Sequence, residues 1–119
     1  MRIVAGKFKS RIINAPLGDN TRPSSDKTRQ AIFNVIAPYV YDANVLDIFS
    51  GSGALAIEAI SRGAKKATLI DNNVDAIKCI KNNISTLKIN EQCNVIYDDY
   101  KVIENLKIED AECKIFNNI

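Results

Sequence analysis

Four aspartates and two glycines carry the chemistry this sequence can do. Asp47 lies inside the apolar run Val45-Leu46-Asp47-Ile48-Phe49, four residues before Gly51. Asp71 ends a second run, Ala67-Thr68-Leu69-Ile70, twenty residues after Gly51. Asp98 and Asp99 follow a third, Asn94-Val95-Ile96-Tyr97. After the first run stands Ser50-Gly51-Ser52-Gly53, almost without side-chain bulk, and then the helix formers and core candidates Ala54, Leu55, Ile57, Glu58, Ala59 and Ile60. Glycine has no Cβ, so the backbone can turn tightly and a ligand can lie against it. A helix opening after such a turn offers unpaired N–H groups and the positive end of its dipole to an anionic group. A tight turn without a ligand is the plain alternative, but two glycines around one residue exceed what a turn requires.

Gly51-Ser52-Gly53-Ala54-Leu55-Ala56, with Asp71 beyond it, fits a dinucleotide pattern and by pattern alone admits NAD. A carboxylate at position 71 can accept both hydroxyl hydrogens of a ribose diol in either reading. Asp47 separates the readings. A dinucleotide strand needs no acid there, and a buried carboxylate without a partner is costly. It makes sense beside a ligand cation, such as the α-ammonium of a methionine moiety. Asp98 or Asp99 would then meet an exocyclic adenine amine. Three successive strand ends, each with an acid, suit S-adenosylmethionine better than NAD. The blander alternatives are Asp71 capping the next helix and Asp98-Asp99 lying in a solvated loop.

The elements that must position these groups follow from periodicity. Residues 2–5 and 8–15 predict two strands of a hairpin around Gly6-Lys7, with weakly distinct faces. Pro16-Leu17-Gly18-Asp19-Asn20 predicts a loop. Pro23 disfavours helix at Arg22, and Ser24 or Ser25 can cap a helix whose first turn holds Asp26. Ile32, Val35, Ile36 and Tyr39 are expected on that helix's inner face. Arg62-Gly63 closes the central helix. Val74, Ile77, Ile80, Ile84 and Leu87 mark an amphipathic helix, its stripe core rather than a cofactor box. Tyr100 to Leu106 suggests a short helix, Glu109 to Glu112 a polar loop, and Lys114-Ile115-Phe116 the approach of a fourth strand. The β-α-β-α-β alternation argues a parallel sheet of an α/β, Rossmann-like domain.

At 119 residues with 46% hydrophobic content, the chain is one globular domain or part of one. No apolar run approaches the roughly 18 residues of a membrane span, and no secretory h-region opens the chain. Cys79, Cys93 and Cys113 are odd in number and lack metal spacing, so they read as reduced thiols in a cytoplasmic protein. With no histidine, Ser-His-Asp and Cys-His catalysis and histidine metal sites are excluded. The net charge of +2 conceals an asymmetry: residues 1–30 carry +5 and the remainder −3. A basic arm through Arg2, Lys7, Lys9 and Arg11 suits a polyanion, or is simply a solvated charged face.

Met1-Arg2-Ile3-Val4-Ala5-Gly6, Thr21-Arg22-Pro23-Ser24-Ser25-Asp26, Leu46-Asp47-Ile48-Phe49-Ser50-Gly51-Ser52-Gly53-Ala54-Leu55 and Glu58-Ala59-Ile60-Ser61-Arg62-Gly63-Ala64 together resemble the bacterial RsmD family, from residue 1 to about residue 106. These enzymes methylate a guanine N2 in small-subunit ribosomal RNA. The glycine motif alone indicates only a class I methyltransferase; the arm, the TRPSSD segment and the SRGA helix end narrow it. The resemblance implies a class I fold preceded by a basic RNA-facing hairpin and loop (1–24), with a partial S-adenosylmethionine-binding domain at 25–119. It implies Asp47, Gly51 and Gly53 at the methionine part, Asp71 at the ribose, and Asp99, with its neighbour Asp98, at adenine. Phe49 and Asn72 belong to the same cofactor-binding set. Arg22 and Arg29 match the family's segment near the RNA and the cofactor entrance. Small-subunit RNA or its assembly particle is the implied partner, with no metal and no membrane.

The family's Asp/Asn-Pro-Pro-Tyr/Phe motif, expected after the fourth strand, does not occur: the prolines are Pro16, Pro23 and Pro38. Asn117 and Asn118 lack the prolines that would fix them. The expectation is a truncated, inactive chain whose first strand has lost a neighbour, leaving an apolar sheet edge. An NAD-binding oxidoreductase fragment, a non-catalytic RNA-binding module and a decayed product are the rivals.

Overall fold

A computed structural model describes residues 1–16, 25–99 and 101–102, and the backbone of Lys114–Asn117. Four parallel strands, β1 (Asn44–Ile48), β2 (Lys66–Asp71), β3 (Cys93–Tyr97) and β4 (Lys114–Asn117), form one sheet in the order β3-β2-β1-β4. Helix α1 (Asp26–Ile36) precedes the sheet, α2 (Ala54–Ser61) joins β1 to β2, and α3 (Val74–Leu87) leads from β2 towards β3. The alternation expected from periodicity is present.

Strand β1 is central. It pairs β2 with Ile48 opposite Ile70, and β4 with Ile48 opposite Asn117. The expectation that β1 had lost a neighbour is therefore overturned. The few residues after Lys114 suffice to form a parallel ladder on its open side. Because β2 and β3 lie to one side of β1 and β4 to the other, the winding reverses at β1. Open α/β sheets take ligands outside the carboxyl ends of their strands at such a reversal.

Alternation along each strand sorts the side chains into two faces. Val45, Ala67 and Leu69 join a core with Ile57, Ile60, Ile77, Ile80, Ile84 and Leu87 of α2 and α3. Leu46, Ile48 and Ile70 point the other way, packed by Phe49, Ile96 and Val102. All eight residues of α2 are buried, as befits a helix apolar on every side. Its one acid, Glu58, is enclosed with them.

What covers the outer side of α2 is the N-terminal arm. The arm is antiparallel as expected, but its pairing reduces to one bridge, Arg2 opposite Ile12, flanked by the N–H of Ile3 donating to the Arg11 carbonyl (2.9 Å). Ser10 has φ +71°, which breaks the alternation. Phe8 and Ile13 thereby both turn inward with Ile3, while Ile12 stays outside. This explains why the faces of residues 8–15 looked indistinct in sequence.

Helix α1 starts at Ser25, whose hydroxyl accepts from the Thr28 N–H (3.0 Å), a cap that contributes about 1 kcal/mol. Its buried residues are Arg29 and Phe33. Ile32 and Ile36 pack on the core, but Val35 and Tyr39 are exposed, contrary to the expected face. Phe33 takes the inward position and rotates the stripe by about a sixth of a turn. Helix α3 keeps its predicted stripe except Val74, which lies exposed in the first turn.

Candidate functional site

The loop after β1 is built on a run of left-handed residues. Phe49, Gly51 and Gly53 have φ of +56°, +61° and +81°. A bulky residue at positive φ is uncommon and marks a turn the surroundings enforce. At Phe49 the enforcement is partly the next peptide, where the Ser50 N–H donates to the Ile70 carbonyl (3.0 Å). The two glycines do different work. A Cβ on Gly53 would lie 3.0 Å from Leu69 Cδ2, so this glycine lets the loop press onto the core. A Cβ on Gly51 would meet nothing within 4 Å, so its backbone borders open space.

Asp71, at the end of β2, reaches across to this loop. The Gly51 N–H donates to its Oδ2 (3.0 Å) and the Asn73 N–H to its Oδ1 (2.9 Å). An ionised carboxylate has about four acceptor positions, so each oxygen keeps one for a ligand hydroxyl. The helix cap that Asp71 might have supplied comes from Asn73, whose side chain accepts from Asp75 and Ala76. Asn72 sits exposed between them. At the next strand end the Asp98 N–H donates to the Asp71 carbonyl (3.1 Å). Asp98 and Asp99 are exposed, with the Lys101 N–H donating to Asp99 Oδ1 (3.1 Å). The loop, Asp71-Asn72 and Asp98-Asp99 thus lie side by side along one edge of the sheet.

Asp47 is fully enclosed. Its Oδ2 accepts from the Ser50 hydroxyl (2.9 Å) and from the Ala56 N–H (3.1 Å) in the first turn of α2. On sequence grounds its charge calls for a ligand cation. In the fold, the loop and the helix start give its Oδ2 two donors, and the carboxylate ties β1 to the start of α2.

Of the basic residues, Arg2, Lys7, Lys9 and Arg11 are exposed, Lys7 lying 5.4 Å from the Phe8 ring and Arg11 3.4 Å from the Thr86 carbonyl. Arg22 lies outside the described residues. Arg29 does not face a polyanion. It is buried, ion-paired to Asp26 and to Glu58 (3.6 Å), and donates to the Arg2 carbonyl. A guanidinium walled in by carboxylates and carbonyls is a fastener between α1, α2 and the arm.

Three residues that tie the N-terminal arm to α2, α3 and the loop were missed in sequence. Glu58 accepts from the Val4 and Ala5 N–H groups (2.9 and 3.1 Å) and from Arg62 Nε (2.9 Å). Ser61 accepts from the Phe8 N–H and donates to the Ala5 carbonyl (2.7 Å). Asn83 joins the arm to the glycine loop. One signal was available: a lone acid and a serine inside an otherwise apolar helix need partners. The polar Asn83, inside the inward stripe of α3, gave the same sign.

Neither described thiol, Cys79 or Cys93, is an activated nucleophile; Cys113 lies outside the described residues. Burial pushes Cys93 up to about 12 and raises Cys79, although Asn83 partly offsets the latter. Among the described residues no cluster of acids and thiols could hold a metal ion, and no helix is long and apolar enough to cross a membrane.

A family model described as conserved hypothetical protein 95 matches residues 1–116. The chain is 41% identical over 88 residues to ribosomal RNA small subunit methyltransferase D of Escherichia coli strain K12, covering 74% of this chain and 44% of that protein. It is 40% identical over 99 residues to YlbH of Bacillus subtilis strain 168, a candidate rRNA methyltransferase, covering 83% and 54%. The solved structure of yhhF from Escherichia coli, a candidate methyltransferase, superposes with a TM-score of 0.76 at 34% identity, covering 87% and 55%. The chain spans about half the length of these curated relatives. The fold is that of class I methyltransferases.

Proposed function

Because this chain belongs to the conserved hypothetical protein 95 family, that of the RsmD methyltransferases, we propose that its 119 residues form the donor-binding portion of an S-adenosylmethionine-dependent enzyme that methylates guanine N2 in small-subunit ribosomal RNA. The observation that carries this reading is the bridge from the Gly51 N–H to the Asp71 carboxylate, beside a backbone that opens onto space.

In this reading Gly51 lets the methionine end lie against bare backbone, and Gly53 keeps the loop low enough to admit it. Asp71 accepts the ribose hydroxyls with the lone pairs its two N–H partners leave. Asp98 and Asp99 accept from the adenine amine, with Asn72 and Phe49 closing the flanks. Asp47, which also holds the loop and the start of α2, borders the methionine end with Gly51 and Gly53. S-adenosylmethionine, when bound, supplies its methyl group from an electrophilic sulfonium. The guanine amine is a weak nucleophile, so the enzyme must hold it close and accept hydrogen bonds from its N–H groups. The family does this with the Asp/Asn-Pro-Pro-Tyr/Phe motif. These 119 residues lack that motif, and we place their function at binding without turnover. Arg2, Lys7, Lys9 and Arg11 form the outward basic face that meets the RNA.

Equilibrium dialysis against labelled S-adenosylmethionine, alongside a methyl-incorporation assay on small-subunit RNA, tests both parts. Retained donor with no methyl at guanine N2 is the expected result. Failure to retain the donor overturns the binding reading, and clear incorporation overturns the inactivity.

A further inference from the structure

We infer that Asn83, on α3, is a positioning residue for the glycine loop. Its side-chain amide is buried and makes three bonds to two separate segments. Nδ2 donates to the carbonyls of Ser52 (2.9 Å) and Asn14 (3.0 Å), and Oδ1 accepts from the Asn14 N–H (2.9 Å). The orientation of the amide is unambiguous, because reversing it would set its oxygen against two carbonyls. Nδ2 also lies 3.6 Å from Cys79 Sγ, which itself donates to the Asn14 carbonyl (3.1 Å).

Ser52 lies between the two left-handed glycines, at the point where the loop has least steric definition of its own. The Gly51 N–H is tied to the sheet through Asp71, and the Gly53 N–H closes back within the loop on the Ser50 carbonyl (2.9 Å). Asn83 supplies the bond from the helix side. With it, the Ser52–Gly53 peptide is held at both its N–H and its carbonyl; without it, a buried carbonyl loses its donor and the peptide keeps only its N–H tether to Ser50. The same amide clasps Asn14, so the end of the arm is fixed to the loop through one side chain.

The consequence for binding rests on the donor-binding reading above. A ligand whose amino-acid end lies along Gly51 to Gly53 depends on Asn83. A ligand that engages only Asp71 and the later strand ends does not. S-adenosylmethionine and 5′-methylthioadenosine differ in this way, since the second lacks the amino-acid portion.

The test uses the full chain and Asn83→Leu, with Asn83→Asp as a second variant that keeps the acceptor for Asn14 but loses the donors. Hydrogen exchange at the Gly51 and Gly53 amides of the ligand-free protein is predicted to quicken in both. Affinity for S-adenosylmethionine is predicted to fall roughly tenfold, while 5′-methylthioadenosine binds as before. Unchanged exchange in a variant that still melts cooperatively overturns the inference whatever the ligand does. Equal loss for both ligands also overturns it, since a general weakening of the fold would do that. Faster exchange in a chain whose unaltered form binds no S-adenosylmethionine supports the positioning role and overturns the donor-binding reading alone.

Discussion

The backbone N–H of Gly51 donates to the carboxylate of Asp71, 3.0 Å away and twenty residues later in the chain. One bond thereby locks the turn after β1 to the end of β2 and aims a carboxylate along the edge where a ligand would lie. Gly51 and Gly53 on either side of Ser52 respond differently to substitution. Gly53→Ala places a methyl 3.0 Å from Leu69 Cδ2 at φ +81°, and is predicted to cost roughly 1–3 kcal/mol of stability. Gly51→Ala meets no neighbour and carries only the backbone strain of φ +61°, about 1 kcal/mol, so it is predicted to destabilise less than Gly53→Ala and to lose more donor affinity. Thermal melts run beside S-adenosylmethionine titrations check the contrast; the reverse order would contradict it.

Glu58 is the keystone between arm and helix. It carries the only negative charge between Arg29 and Arg62 inside the core, among the described residues, and Arg62 in turn lies 4.7 Å from the Phe33 ring. Glu58→Gln leaves both guanidiniums without their shared counter-charge, and is predicted to lower stability by about 3–5 kcal/mol. Urea denaturation followed by circular dichroism measures it. A loss under about 1 kcal/mol would show that the network is not holding the arm.

The basic residues divide into two roles, and mutation separates them. Arg29→Ala is predicted to reduce stability. Joint replacement of Lys7, Lys9 and Arg11 by alanine is predicted to leave the melting temperature alone and weaken RNA binding. Its salt slope should fall by about 0.7–0.9 for each phosphate that the arm no longer neutralises. Equal RNA slopes before and after the triple replacement would remove the arm from the RNA-facing surface.

Asp26 links the arm to pH. The Arg2 N–H bonded to its carboxylate holds the carboxyl below its ordinary 3.8; burial opposes this and the Arg29 guanidinium adds to it. The unfolded chain therefore takes up this proton more readily than the folded one. The contribution is fully present above pH 3.8 and disappears as pH falls through the lower folded value. Asp26→Asn is predicted to be less stable than the unaltered chain at neutral pH, with the gap closing below about pH 3.8. Urea midpoints measured across this range decide it, and a gap that widens in acid would contradict it.

Much of the fold was legible because its signals are local. The Arg62-Gly63 stop, the Ser25 cap and the stripe of α3 are each set by neighbours in sequence, and strand ends at Asp71 and Tyr97 fell where apolar runs stopped. The site edge was legible for the same reason, since acids and glycines at strand ends declare themselves. What escaped depends on tertiary partners. Arg29 reads as surface charge until Glu58 is seen beside it. Nothing in the sequence says that the Ser50 hydroxyl and the Ala56 N–H will reach Asp47. Phe33 rather than Val35 faces inward because of the arm and Arg62, and Ser10 scrambles the arm's alternation by one left-handed residue. Asn83 is invisible as a loop support until Asn14 and Ser52, separated by 38 positions, converge on it.

Asp71 and the glycine loop are proposed to hold the adenosyl donor. Calorimetric titration of S-adenosylmethionine into the unaltered chain and into Asp71→Ala tests it most directly, with NADH added as a competitor and melting curves run on both proteins. Saturable one-site binding is predicted, indifferent to NADH and weakened at least roughly tenfold in a still-folded Asp71→Ala. Absence of binding, equal affinity in the folded variant, or displacement by NADH would contradict it.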